Sequence, residues 1–284
     1  MKLSLSREQL LSPLQSVIGA VERKQTMPTL ECVLLEAEGD SFTLTATNLE
    51  MQMRATMELP AKEGGFCVHA RKLFDILRAL PDKATIELNH ADSRLVIKSG
   101  KSRFQLATLP AGNFPVFAID GDSVEFSVES ADLRRALEKA ASAQARDDVR
   151  YYLNGVCLRL AGAQMRAIAS DGHRLAYCDI ALSEAVEVTQ EFILPRRSVL
   201  ELLKLLPGDE QILTCHLHSR TFMVDLPGLS FSTKLLEGKF PDENRVIPRD
   251  FDAEFAIDRD TLSSLVGRAA ILADEKIPLI RLEL

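Results

Sequence analysis

Three segments of the chain share one pattern of apolar and polar positions. KLSLSREQL at 2–10, EFSVESADL at 125–133 and EFAIDRDTL at 254–262 align without gaps, at offsets of 123 and then 129. Each opens with alternating apolar residues: Leu3 and Leu5, Phe126 and Val128, or Phe255 and Ile257. Alternation at period two predicts a strand with one buried face. A polar residue follows, Ser6, Glu129 or Asp258, and then the first apolar position of a helix. Ser6 with Gln9 has the spacing of a capping box, in which the hydroxyl satisfies a free helix N–H and the amide reaches back.

The agreement continues between the first two copies. The stretch from Arg71 to Pro81 matches the stretch from Arg197 to Pro207 at an offset of 126, and both predict an amphipathic helix stopped by proline. Leu109-x-x-Gly112-x-Phe114-Pro115 matches Leu235-x-x-Gly238-x-Phe240-Pro241, also at 126. Ala46-Thr47-Asn48 matches Ala169-Ser170-Asp171 at 123. Matches in register at near-constant offsets predict a duplicated module. Each module reads strand, helix, several strands, helix, several strands. Two helices on one face of an antiparallel sheet make an α+β layer. The first module is expected at 1–122 and the second at 123–250. A third begins at 251 and has 34 residues, too few to close a core, with Leu279–Leu284 as its second strand. Pro13 falls inside the first helix pattern, where a kink is expected.

Composition bounds the class. The chain has 284 residues, 46% hydrophobic and 26% charged, without tryptophan. No apolar run approaches the roughly 20 residues of a membrane helix. The N-terminus lacks the pattern of a signal peptide, so a cytoplasmic location is expected. Five cysteines without a C-x-x-C pair read as small buried apolar residues rather than a disulfide framework. The net charge is −7, which argues against binding nucleic acid by bulk electrostatics. The charge is uneven, however. The four helical segments 7–24, 68–81, 130–150 and 196–206 contain 14 Lys and Arg against 8 Asp and Glu. A positive helical layer can contact phosphates without reading bases.

Motifs of common catalysis are missing. There is no G-x-G-x-x-G, P-loop, H-E-x-x-H or G-x-S-x-G. Ser170, Asp171 and His173 have the residue types of a hydrolytic triad, but they are nearly contiguous, and a triad needs side chains converging from separate places. His216 and His218 share one strand face, with Cys215 on the other. They read as exposed strand histidines, and no metal site or cofactor is expected.

The stretch Asp148–Gly155, then Ser170-Asp-Gly-His-Arg-Leu175, then Lys234–Asp242, closely resemble the bacterial sliding clamp, the beta subunit of DNA polymerase III. The resemblance spans the whole chain. It implies a non-enzymatic homodimeric ring of six modules, with helices lining the hole and sheets outside. Such a ring encloses double-stranded DNA and confers processivity on the polymerase by topology, so an acidic protein can stay on DNA. Implied partners are DNA polymerase III and other polymerases, a clamp loader, and mismatch-repair and ligase-type factors that dock by short peptides. The implied peptide groove comprises Leu153, Ser170, Gly172, His173, Arg174, Leu175, Pro241, Arg245 and Val246. The implied DNA-facing residues are Lys24, Arg71, Arg146, Arg150, Tyr151, Tyr152, Arg196 and Arg197, with rim packing the alternative role for the tyrosines. The implied dimer contact joins Phe104 and Leu106 of one chain to Ile271 and Leu272 of the other. A second reading is a clamp-derived module that scaffolds partners without encircling DNA, and a third is an enzyme. Retention on circular but not linear DNA separates the first two, and measured turnover would favour the third.

Overall fold

The computed structural model describes residues 1–22, 27–60, 62–115, 119, 121–248, 250, 252–273 and 279–282. They form two compact units, Met1–Phe240 and Pro241–Leu284.

The first unit contains the duplication. Its first half runs β1 (Lys2–Ser6), α1 (Arg7–Val17), β2 (Cys32–Glu38), β3 (Ser41–Thr47), β4 (Met51–Glu58), β5 (Gly64–His69), α2 (Ala70–Ala79), β6 (Thr85–Ala91), β7 (Arg94–Ser99) and β8 (Ser102–Pro110). Its second half runs β9 (Val124–Glu129), α3 (Ser130–Ala141), β10 (Gly155–Ser170), β11 (Leu175–Pro195), α4 (Arg196–Leu205), β12 (Ile212–Leu217), β13 (Thr221–Leu226) and β14 (Leu229–Lys234). The long hairpin β10–β11 stands where the first half has four shorter strands. Its register shifts around Gly162, as at a bulge that bends a strand without ending it.

Ser6 makes the capping box expected of it. Its hydroxyl accepts from Gln9 N at 3.2 Å, and Gln9 Oε1 accepts from Ser6 N at 2.8 Å. Helix α1 runs as one element through Pro13, anchored on both sides by buried Leu10, Leu14 and Val17. The first strand of each half borders the later strands of the same half. Ser6 pairs with Thr85, and Glu129 pairs with Ile212.

The two halves join edge to edge. β14 pairs antiparallel with β4, from Leu229 opposite Ala55 to Thr233 opposite Met51. Twelve strands thus form one sheet in the order β1-β6-β7-β8-β5-β2-β3-β4-β14-β13-β12-β9. One apolar core runs through both halves. A smaller cluster lies apart from it in each half: Cys32, Leu34, Cys67 and Phe114 in the first; Ala145, Leu153, Cys157, Ile168, Ile193 and Phe240 in the second. By the repeat offsets, Leu34, Cys67 and Phe114 are the counterparts of Cys157, Ile193 and Phe240. Four cysteines are buried and Cys178 is half-buried. Burial pushes the Cys32 thiol up to about 11 and the Cys67 thiol to about 12, so both stay protonated at neutral pH.

The second unit holds one longer helix, α5 (Arg259–Ala270), whose cap Asp258 accepts from Thr261 N at 2.8 Å. The strands expected at Phe255–Ile257 and from Leu279 are not formed in the described residues. A strand's hydrogen bonds go to a neighbouring strand, and alternation without a partner does not make one. Glu283 and Leu284 lie outside the described residues.

Gln144 is a local conflict in this fold. It is 3% exposed, and neither end of its amide has a hydrogen-bond partner among the described residues. Its counterpart in the first half is Val21, also buried. Gln144→Val should therefore raise the stability in urea by about 1–3 kcal/mol, the cost of an unsatisfied buried polar group. An unchanged or lower midpoint would show that the amide is satisfied in solution.

Candidate functional site

The turn between β10 and β11 is built largely by side chains bonding local backbone, with Asp171 N donating to Arg174 O at 3.3 Å. The Ser170 hydroxyl accepts from Gly172 N at 3.1 Å and donates to Arg174 O at 2.9 Å. Asp171 Oδ1 accepts from His173 N and Arg174 N, each at 3.0 Å. These N–H groups, and then Arg174 Nε, lower the Asp171 pKa. The turn between β3 and β4 repeats the pattern. Thr47 Oγ1 accepts from Leu49 N at 3.1 Å and donates to Met51 O at 2.8 Å. Asn48 Oδ1 accepts from Glu50 N and Met51 N. The two turns differ where φ is positive, +87° at Gly172 and +75° at Leu49. Left-handed backbone suits glycine and strains leucine.

Gly172 also admits a neighbour. A Cβ there would lie 2.8 Å from Arg150 Nη2, so that guanidinium packs on the bare backbone. Arg150 is held by Asp148, through Nε at 3.0 Å and Nη2 at 2.9 Å. Asn154 closes the loop, accepting from Asp148 N and donating to Asp148 O, both at 2.9 Å. The hydrogen bonds from the Arg150 side chain and backbone, with the charges of Arg150 and His173, hold the Asp148 carboxyl down at about 2.

Beside this turn lies the small apolar cluster of the second half. Leu153 is buried in it, and Leu175, Tyr152 and Leu236 pack against it. The structure thus brings Leu153, Ser170, Gly172, His173, Arg174 and Leu175 to one region. Pro241, Arg245 and Val246 belong to the other unit. There Arg245 approaches Asp242 at 3.6 Å, and Val246 is exposed. A cavity of about 540 Å³ opens along Ile193, Leu236 and Gly238, and its lining includes none of the nine predicted groove residues.

The predicted basic residues fall into distinct settings. Tyr151 is exposed and meets half-buried Tyr152 edge to face, centroids 6.2 Å apart. The Arg196 backbone N–H donates to Asn154 O at 2.9 Å, tying the start of α4 to the same loop. Burial, and then the charge of nearby Arg146, lower the Arg196 pKa. Arg146 and Arg196 make no ion pair among the described residues. Arg197 is paired with Glu22. Arg71 is the second residue of α2, as Arg197 is of α4, and its buried Nε has no hydrogen-bond partner among the described residues. Lys24 lies outside the described residues.

Two family models match the chain: DNA polymerase III beta subunit, N-terminal domain, at residues 1–118, and central domain at 127–242. The beta sliding clamp of Pseudomonas putida is 41% identical over 286 residues, covering 100% of this chain and 78% of that protein. The Escherichia coli beta sliding clamp is 38% identical, covering 99% and 77%. This chain belongs to the beta sliding clamp family. The crystal structure of the DNA polymerase III subunit beta from Pseudomonas aeruginosa superposes with a TM-score of 0.92 at 39% identity, over 97% of this chain and 76% of that one. The Bacillus subtilis clamp, 22% identical, shares the fold at a TM-score of 0.92.

A sliding clamp is a processivity factor without catalytic activity of its own, and DNA and a polymerase are the partners of that role. Among the described residues no cluster of His, Cys, Asp and Glu is arranged to hold a metal. His216, read as an exposed strand histidine, is half-buried, with Asp225 at 3.0 Å and Glu125 at 3.7 Å. No helix of the described residues is long and apolar enough to cross a membrane.

Sequence reasoning missed Asp148, Asn154, Ile168 and Phe240 as builders of the clamp's loop and apolar floor. The Phe114/Phe240 repeat match pointed to Phe240. Nothing in the pattern marked Asp148 as the partner of Arg150, because the contact needs a loop closed by Asn154.

The Asp148 carboxyl should titrate near pH 2 by carbon NMR, below the ordinary value of about 4. Because its folded value is depressed, its support of the loop is present above about pH 4 and is lost as pH falls through about 2. Arg150→Gln should move the midpoint up toward 4. A wild-type midpoint already near 4 would break the assigned pairing.

Proposed function

We propose that this chain forms part of a homodimeric ring that encloses duplex DNA, with the helices facing the duplex and a peptide groove at the β10–β11 turn. The β4–β14 junction is the observation that carries the reading. β8 is the counterpart of β14: the turn pairings Ser99 to Ser102 and Leu226 to Leu229 place them in the same register. Phe104 then corresponds to Phe231, and Leu106 to Thr233. Phe231 is fully buried against the β4 side of the junction, while Phe104 is half-buried. Along Ser102–Ala107, β8 pairs only with β7 among the described residues. A free edge with a half-covered aromatic suits a second copy docking as β4 does. Ile271 and Leu272, 78% and 92% exposed, are the apolar residues the resemblance assigns to that contact.

The DNA-facing set centres on Arg146, Arg150, Tyr151, Tyr152 and Arg196. Arg146 and Arg196 raise the local potential together, and exposed Tyr151 offers a ring to a single-stranded base. Lys24 and Arg71 extend the set in the first module. For the groove, Leu153 and Leu175 supply apolar walls, with Arg174 at the edge; the resemblance adds Pro241, Arg245 and Val246 to the set. A short peptide with leucine and aromatic anchors suits such walls. Polymerases, repair factors and a clamp loader are the partners this groove serves, in the cytoplasm. Modules at 1–122, 123–250 and from 251 are the units of the ring.

Protein loaded on closed circular DNA should stay bound, and linearising the DNA should release it; equal retention on both would favour the scaffold reading. Leu175→Ala should weaken a labelled Gln/Leu/Leu-Phe peptide by about 1–3 kcal/mol in a titration. Leu49→Ala in the first module should leave that affinity unchanged, and the reverse result would move the groove to the wrong-side turn.

A further inference from the structure

Arg197 and Glu201 stand one helical turn apart on α4, on the same face. Both meet the stretch that follows α1, at Glu22 and Gly19. Arg197 Nη1 donates to Glu22 Oε1. A Cβ at Gly19 would overlap the Glu201 carboxylate, so that carboxylate lies directly on the Gly19 backbone. Glu22 Oε1 also accepts from Asn48 Nδ2 at 3.1 Å, and Asn48 organises the β3–β4 turn. One carboxylate thus joins the segment after α1 and a turn of the first module to the first turn of α4 in the second.

We infer that Arg197 is a junction residue rather than a phosphate contact, and that Glu22, by holding it, sets how many cations the helical face offers to DNA. The inference rests on the reading that this face meets DNA. A phosphate reaching Arg197 would have to share the guanidinium with a carboxylate already bonded to its Nη1, or displace it. Either way the carboxylate faces the phosphate, like charge against like. Arg196, its chain neighbour, carries no such partner among the described residues. The pair is also particular to this junction. Arg71 occupies the same place on α2, and no ion pair forms there among the described residues.

Binding to duplex DNA measured against salt tests this, because each phosphate contact contributes about 0.9 to the slope of log affinity on log salt. Arg196→Gln should flatten the slope by about 0.9. Arg197→Gln should leave it unchanged. Glu22→Gln should steepen it by up to about 0.9, as Arg197 is released. In urea, Glu22→Gln and Arg197→Gln should each lower the midpoint, and the double variant should lose no more than the larger single loss. Flattening by Arg197→Gln equal to that by Arg196→Gln, or midpoint losses that simply add, would overturn the inference. If Arg196→Gln also leaves the slope unchanged, the DNA-facing reading fails, while the urea series still decides the junction pair. If Arg197→Gln does not fold, an unchanged slope and midpoint in Glu22→Gln would overturn it alone.

Discussion

A sheet edge leaves a row of backbone N–H and C=O groups that need partners, and the first unit is organised around meeting that need. β14 supplies the partner for β4 over Met51–Ala55. That pairing turns two modules into one sheet, and it lets a single apolar core run through both. Phe231 is sealed at the seam, and Lys234 N goes on to donate to Glu50 O at 2.8 Å in the β3–β4 turn. The placement of that turn at the end of a seam matters for its counterpart. The β10–β11 turn, which carries Ser170–Leu175, stands at the end of a two-stranded hairpin with no further strand paired to it among the described residues.

Duplication preserved backbone chemistry and released side-chain chemistry. Thr47 and Ser170 make equivalent bonds, as do Asn48 and Asp171, because a turn's N–H groups must be satisfied in either module. Around those bonds the residues diverged. Gly172 lets Arg150 rest on the backbone, where the first module has Leu49 in the same left-handed conformation. His173 stands where Glu50 does. The small apolar clusters diverged likewise, since Cys67 and Leu34 became Ile193 and Cys157 without loss of packing.

The helical layer's positive charge is less available than its composition implies. Arg7, Arg134, Arg135, Arg150, Arg197 and Lys204 each pair with a carboxylate. The exposed ones among them contribute little to stability, while the Arg7 side chain and the Arg197 pair are part-buried; every such cation is shared between a carboxylate and any polyanion that approaches it. Among the described residues of the helical segments, Arg71, Lys72, Arg78, Lys139, Arg146 and Arg196 form no such pair, and Arg146 and Arg196 stand beside the loop that carries Tyr151. For a clamp retained by topology, a face whose cations are partly shared with carboxylates suits sliding, because each phosphate contact made must also be released.

The repeat, the α+β class, the Ser6 capping box and the four helices of the first unit were legible in the sequence. Each depends on neighbours within a few residues or on a pattern that duplication copied along the chain. The Ser170–Leu175 turn itself was legible for the same reason, since Gly172 and the flanking strand ends are local. The strands expected near Phe255 and Leu279 are not formed among the described residues, because alternation records a tendency and a ladder requires a partner. What only the tertiary structure decided are contacts between residues far apart in sequence: β14 on β4, Arg197 on Glu22, and Arg150 on Gly172. Their sequence signals are single charged or small residues of ordinary type. Such residues acquire a role only when the fold brings a specific partner within hydrogen-bond reach, and no periodicity encodes that meeting.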